Sequence, residues 1–556
     1  MRNLILLTFC FIISSNALCS VSIVGGGVGG LHTAFRLINS SKYQPQNVCV
    51  FEASSRVGGR AFSVRGATPI PDTIDIGAHG YKPLHHKVMD SIVNKVLGLH
   101  TSCRSRNQTK ATCYDIGDSY YYLRGKYLTK LKTNAGATPY NVRKDEENND
   151  DDGPDPILEA VLMYPAIVQN FASLFSLDPA IKYPAIKATL AAVRVYKING
   201  KYPSEYTLET LLNHTSEYWA LYLDADGEAI SSVLNANVYE VIREAVYYAT
   251  PDGAPTDGGF VISNEQDVEI GYDSVSKGLA SLLVSLGATV QYNKKLISIY
   301  NTSGSLNLKF DDGLTTNSDQ VILNIPLAQL NQLSQDSVVF TDTSRKLFNT
   351  INTVCAVKAY FYYPKVWWAQ YGDSSVSTTA INRYFEFKDS NIRCSGTDCD
   401  GVTQVVYADG LDYCTTFWPG SDDVLTVINN TDTDPVRSGL FNMLSESTKL
   451  LQREALKSTA TISDPTILVM GRWKAAWYNI RSSSSYLGGD VQTLLLNPVV
   501  GKNIYLVNEA YSVDQGWAEG SLIASEKVLN KYFGLNRPTW MGNDYWYNAI
   551  VLNNQI

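Results

Sequence analysis

Three glycines at a fixed spacing, followed by an acid, are the first residues of this chain with an evident chemical use. The run Val21-Ser22-Ile23-Val24 enters Gly25-x-Gly27-x-x-Gly30, and Leu31-His32-Thr33-Ala34-Phe35-Arg36-Leu37 leaves it with helical apolar spacing. A second apolar run, Val48-Cys49-Val50-Phe51, ends in Glu52, 22 residues past the last glycine. That is the strand–turn–helix–strand order a dinucleotide needs. The first glycine makes the tight turn, the second lets backbone approach a pyrophosphate, and the third lets helix and strand pack closely. The helix N-terminus then faces the phosphates, and the acid can bind a ribose hydroxyl.

The elements around this turn must fit a chain of 556 residues, too long for one simple core, so two or three domains are expected. A hydrophobic content of 45% with 18% charged residues is that of a globular protein. The net charge of -8 and the lack of a basic stripe argue against a nucleic-acid partner. Residues 1–20 read as a secretory signal: Arg2 is the basic start, Leu4 to Ile13 is almost wholly apolar, and Ala17 and Cys19 suit the small-residue cleavage rule. The run falls short of the roughly 20 residues of a membrane span, and nothing later resembles one.

Secretion predicts glycosylation and disulfides. Sequons occur at Asn39, Asn107, Asn213, Asn301 and Asn429. Cys103 with Cys113 can close a loop, and a bridge can form among Cys394, Cys399 and Cys414. Cys49, inside a core strand, reads as a buried free thiol. No Cys/His spacing suggests a metal.

Further along, Arg56-Val57-Gly58-Gly59-Arg60 and Ile74-Asp75-Ile76-Gly77-Ala78-His79-Gly80 read as loops where backbone can approach a ligand. The acidic run 144–156 reads as a solvated loop. Residues 157–250 are helical in pattern around Leu158 to Leu162, Leu208 to Leu212 and Tyr239 to Ala249, the tyrosines of the last serving packing. Ser274 to Leu286 predicts a helix. Thr289 to Tyr292, Leu296 to Tyr300, Leu306 to Phe310 and Gln320 to Pro326 predict strands, with a turn at Asp311-Asp312-Gly313. Residues 355–363 and 403–408 add strands of a second sheet. Asn503 to Val507 is a short buried strand leading through Asn508-Glu509-Ala510 to Gly516-Trp517-Ala518-Glu519-Gly520 and a helix through Leu529.

The Gly25/Gly27/Gly30 turn, Glu52, Gly58-Gly59-Arg60 and the distant Glu509 with Gly516 to Gly520 together resemble the flavin-dependent amine oxidases. Within them, the chain is similar to secreted L-amino-acid oxidases of the aplysianin and achacin type. The resemblance implies an α/β protein: a Rossmann-like FAD-binding domain in three segments (21–80, 263–330 and 466–535), a mixed-sheet substrate domain (81–156 and 331–465), a helical subdomain (157–262) and a tail (536–556). It implies FAD held by Gly25, Gly27 and Gly30 at the pyrophosphate and by Glu52 at the adenosine ribose. Gly59 and Arg60 would serve the phosphates, Arg60 by a charge-assisted contact. Leu296 would meet adenine through its backbone, and Gly77 and Ala78 would face the flavin. Glu509 would lie by the ribityl–pyrophosphate region, and the helix start at Gly516, Trp517 and Ala518 would aim its dipole at the flavin.

The implied reaction takes a small amine or amino acid and oxygen. Hydride passes to flavin, the imine hydrolyses to a carbonyl compound and ammonia, and oxygen becomes hydrogen peroxide. Lys358 falls where the family holds a water against the flavin; its plainer reading is a strand-edge lysine. Trp517 falls at the aromatic position facing substrate, and Trp477 or Tyr478 could supply the opposite wall; the pair Trp367-Trp368 reads as structural. Homodimers are common among such proteins, and a defensive, antibacterial role follows from the same likeness.

The chain also departs from the amino-acid oxidase pattern. Glycine, as Gly80, stands where an arginine should fix the substrate carboxylate. The expected tyrosine partner falls near Glu386-Phe387, with Tyr384 one alignment slip away. Either Arg383, Arg472 or Arg481 replaces the arginine, or the substrate is not an α-amino acid. In the second case His79 and Glu386 could attract a cationic monoamine or polyamine. A secreted FAD-binding glycoprotein without turnover is the remaining alternative.

Overall fold

A computed structural model of the chain describes residues 18–66, 73–103, 113, 118–123, 126–128, 160–212, 236–251, 259–302, 304–368, 374–378, 384–387, 392–395, 398–409, 424–456, 461–482 and 484–553. The acidic run 144–156, Asn107, Asn213, Arg383 and Cys414 lie outside the described residues.

The architecture is α/β. Strand β1 (Leu18–Val24), helix α1 (Val28–Asn39) and strand β2 (Val48–Phe51) form the expected unit at the centre of a seven-stranded sheet. β1 pairs in parallel with β2 on one side and with Thr315–Leu323 on the other, and Ile504–Leu506 joins Thr315–Leu323 in parallel. One face buries Ile23 and Val50 against α1 and the helices Ser274–Ser285 and Ala518–Lys531, the other Val24 and Phe51 against Leu296, Leu308 and Phe310, which is why these strands read as continuous apolar runs. The register aligns Val24 with Leu323 and Leu323 with Leu506. Three strands remote in sequence therefore end in one row, and the loops at residues 25, 324 and 508 open side by side, where an open α/β sheet binds ligands. Helix Ala518–Lys531 packs on α1, locked by buried Glu526, which accepts from Arg36 Nε and meets His32 Nε2, both at 2.7 Å.

The second sheet has nine strands among the described residues and is built around Ile351–Tyr363, flanked by Ile467–Ile480 and Asp398–Asp409. One face of it buries Val357, Ala359 and Phe361 with Trp367 and Trp368, so that tryptophan pair is structural. Helices Pro165–Leu174, Pro179–Val195, Leu208–Leu212 and Val238–Tyr248 make the helical region. No helix among the described residues is long and apolar enough to cross a membrane.

Two expectations change. Strand β1 includes Leu18 and Cys19, inside the segment 1–20 read as a leader, and these two residues pair with Asn317 and Ser318. And Cys49 is not a free thiol: it is bonded to Cys19 across the β1–β2 pair. Adjacent parallel strands bring their Cα atoms to 5.9 Å, inside bridging range. Cys103–Cys113 and Cys394–Cys399 are also bonded, as is Cys355. Replacing both Cys19 and Cys49 by alanine is expected to lower stability by about 2–4 kcal/mol. A urea titration under oxidising conditions measures this, and an unchanged midpoint would show the bridge to be dispensable.

Candidate active site

The turn after β1 is closed by backbone. Gly25 has φ +106°, and a Cβ there would sit 2.5 Å from the Asn324 carbonyl oxygen. A Cβ on Gly29 would overlap the Ser521 hydroxyl, and one on Gly30 the Gly25 carbonyl oxygen. α1 starts after Gly27, and helix Ala518–Lys531 after Trp517; neither has a side-chain cap. Both uncapped N-termini open onto one cavity of about 1290 Å³. Unsatisfied helix-start amides with their dipoles fit an anion such as a pyrophosphate.

Gly25, Gly27, Glu52, Gly59, Arg60 and Leu296 all line this cavity, as do Glu509, Gly516, Trp517 and Ala518. Gly30 lies behind the wall. Glu52 is buried and preset: Oε2 accepts from the Gly26 amide at 2.7 Å, and Oε1 from the Ser54 amide and hydroxyl at 2.8 and 2.7 Å. Oε2, with one bond made, keeps capacity to accept from a ribose hydroxyl. Arg60 ion-pairs with Glu509 and donates to the Ala476 carbonyl at 2.8 Å, while Glu509 Oε2 accepts from the Gly516 amide at 3.2 Å. Glu509 thus couples Arg60 to the loop that carries Trp517. These residues suit FAD: a preset acid, two uncapped helix starts, and turns where no side chain intrudes.

Gly77 and Ala78 line the same cavity, pressed on the Arg60 backbone; the Ala78 amide donates to the Arg60 carbonyl at 3.0 Å. Lys358 reaches this loop from the second sheet, its Nζ donating to the Gly77 carbonyl at 2.7 Å. Opposite Lys358 in register is Gly471, whose missing side chain admits Ile76. Trp473 Nε1 donates to the Ile76 carbonyl at 2.7 Å. Lys358 is therefore a wall residue rather than a strand-edge lysine.

Trp477 and Trp517 both line the cavity, but Tyr478 does not. Successive strand residues point to opposite faces, so Tyr478 is buried in the core, with the Arg60 guanidinium 5.6 Å from its ring centroid. Of Trp477 and Tyr478, Trp477 is the one on the cavity wall.

The missing arginine also has a cause. A Cβ on Gly80 would lie 2.6 Å from the Phe260 carbonyl oxygen, which also accepts from the Tyr81 amide at 3.0 Å. Gly80→Arg is therefore expected to lower the melting temperature, with no gain in preference for carboxylate-bearing substrates. Of the proposed replacements, Arg481 is exposed and away from the cavity. Arg472 is buried on the wall, donates to Thr426 Oγ1 at 2.9 Å, and pairs in register with Val357 of the opposite core. Glu386 lies on strand Tyr384–Phe387, opposite Gln404 in register.

His79 lines the cavity with Glu269 3.3 Å behind it. Donor atoms of Asp75, His79 and Glu269 lie within 4.8 Å of one another, but Asp75 is already hydrogen-bonded to the Ser63 hydroxyl and the Tyr272 amide. Burial, with the Glu269 charge adding, pushes the Asp75 carboxyl up to about 7, against the opposing pull of Ser63 and Lys358.

Sequence reading did not find Asn324, Ser521, Glu269, His86, Tyr248 or Asp514. Asn324 stood in plain view at the end of its strand, while the others signal nothing without the fold.

A dinucleotide-type sheet thus meets, at this cavity, a mixed sheet carrying Lys358 and Trp477, with Trp517 at the start of helix Ala518–Lys531. The chain belongs to the flavin-containing amine oxidoreductase family, whose model matches residues 28–526. It is an FAD-dependent oxidase. It is 23% identical to aplysianin-A of Aplysia kurodai over 92% of this chain and 90% of the relative. It is 22% identical to achacin of Lissachatina fulica over 92% and 93%. The fold matches that of a putrescine oxidase solved with putrescine, with a TM-score of 0.57 at 12% identity, covering 93% of this chain and 99% of that one.

Proposed function

We propose that this chain is a secreted oxidase of a small primary amine, with an L-amino acid as the favoured substrate. The products would be a keto acid, ammonia and hydrogen peroxide. The observation that carries the reading is the convergence of Lys358, Trp477 and Trp517 on the cavity shared with the glycine turn and Glu52. FAD, when bound, supplies the acceptor for the amine's two electrons and passes them to oxygen. In this reading Trp477 and Trp517 flank the amine and exclude water, and Lys358, fixed by Gly77, orients a water at the wall. Gly25, Gly27, Gly30, Glu52, Gly59, Arg60, Leu296 and Glu509 hold the cofactor.

Lys82 and Lys474 on the cavity wall support a substrate bearing a carboxylate. A monoamine or polyamine is the second reading, favoured by the closed arginine position at Gly80 and by Glu269 behind His79. Secretion is supported by the disulfides and by the exposure of Asn39, Asn301 and Asn429, each a sequon. A defensive role would act through peroxide, and catalase would then abolish killing.

The test is oxygen-dependent peroxide release from L- and D-amino acids, their decarboxylated amines and polyamines. Faster turnover of L-amino acids supports the first reading, and faster turnover of the amines the second. Bound FAD with no peroxide from any of them would defeat both.

A further inference from the structure

A hydrogen-bonded chain lies directly behind Trp517. The Trp517 ring packs on His86, with centroids 4.6 Å apart, and lies 6.3 Å from that of Tyr248. His86 Nε2 is 3.0 Å from Tyr248 Oη, and that hydroxyl donates to Asp514 Oδ1 at 2.8 Å. The direction is fixed. The Lys82 amide donates to His86 Nδ1 at 3.0 Å, and burial holds the ring neutral by pushing its pKa well below the ordinary value. The ring proton is then on Nε2, aimed at Tyr248. Asp514 precedes Trp517 by three residues in one loop, and its Oδ2 is buried with no hydrogen-bond partner among the described residues. Leaving such an atom unpaired is costly, which marks the residue as more than a spacer.

We propose that His86, Tyr248 and Asp514 are positioning residues that fix the Trp517 ring, and that the charge on Asp514 sets how firmly they do so. The proposal rests on Trp517 forming a wall of the substrate site. When Asp514 is ionised, the Tyr248 hydroxyl donates a charge-assisted bond and the chain is taut; when it is neutral, that bond weakens. Burial raises Asp514 to about 7. Helix Val238–Tyr248 faces it with Tyr248 and Arg243, which oppose the rise, and Glu244, which adds to it, as does Glu509. Glu519, Tyr183, Tyr247 and Tyr545 are its other titratable neighbours. His86 stays neutral over this range, so Asp514 is the member of the chain that changes charge.

The test uses FAD-loaded wild type, Tyr248→Phe and Asp514→Asn. Without substrate, the wild-type flavin absorption spectrum should show a pH-dependent change centred at about 7, reduced in both variants to what Asp75 contributes. With the best amine, Tyr248→Phe should lower kcat roughly fivefold to tenfold with KM little changed, and flatten the rise of activity through neutral pH. Wild-type spectra and pH profiles in both variants would overturn the proposal. If Asp514→Asn fails to fold, Tyr248→Phe decides alone, since it keeps the ring and removes only the hydroxyl. If wild type releases no peroxide, the proposed function fails, while the spectral titration still decides this point.

Discussion

Lys358→Met is expected to reduce turnover about 100-fold while the protein still holds FAD. Methionine keeps the length and apolar stem of lysine and loses its charge and donor. The stem is well supported, because Val357 and Ala359 on either side are buried in the opposite core and hold the strand in place. What disappears is the bond to the Gly77 carbonyl and a positive charge on a cavity wall. A fixed charge in a water-poor site acts far more strongly than in bulk solvent. Lys358 also helps hold the Asp75 carboxyl down, so its loss would raise that group further and leave it neutral over a wider pH range. Stopped-flow measurement of flavin reduction, with FAD content read from visible absorbance, checks this. Near-normal reduction in an FAD-loaded variant would remove Lys358 from the chemistry.

The sheet carrying the glycine turn was legible because each of its parts has a local cause. Parallel strands buried on both faces give unbroken apolar runs, and the turn between β1 and α1 tolerates only glycine at its crowded points. The same logic misread Cys49. A cysteine in a core strand is often a free thiol, and its partner, Cys19, lay in a segment assigned to the leader. Trp477 and Tyr478 could not be separated by sequence, since strand phase decides which faces the cavity and a bulge shifts the register between Val354 and Ala356. Gly80 read as a missing arginine. In the fold it is a required glycine, because the Phe260 strand crosses at that point, and no spacing in the sequence reports such a crossing. The chain from His86 through Tyr248 to Asp514 joins three remote segments and was invisible for the same reason.

Gly30→Ala is expected to abolish retention of FAD and to destabilise the protein by at least about 3 kcal/mol, whereas Gly59→Ala should cost about 1–2 kcal/mol and weaken FAD retention less. Both glycines belong to loops that sequence alone marks for cofactor contact, yet their constraints differ. At Gly30 an added methyl would meet the Gly25 carbonyl oxygen, which is backbone at the tightest part of the turn. That atom can retreat only if β1 or α1 moves. β1 is hydrogen-bonded on both sides, and α1 is held by Glu526 through Arg36 and His32, so relief would have to come from the turn itself. Opening it would pull the α1 amides off the line along which a pyrophosphate would approach. Gly59 lies at φ +56° with no protein atom within 4 Å of an added Cβ, so alanine there meets the left-handed penalty without a clash against the turn. Comparing the two variants by melting temperature and by FAD content after gel filtration separates steric need from conformational preference. Equal losses in both would mean that the turn is more pliable than its contacts indicate.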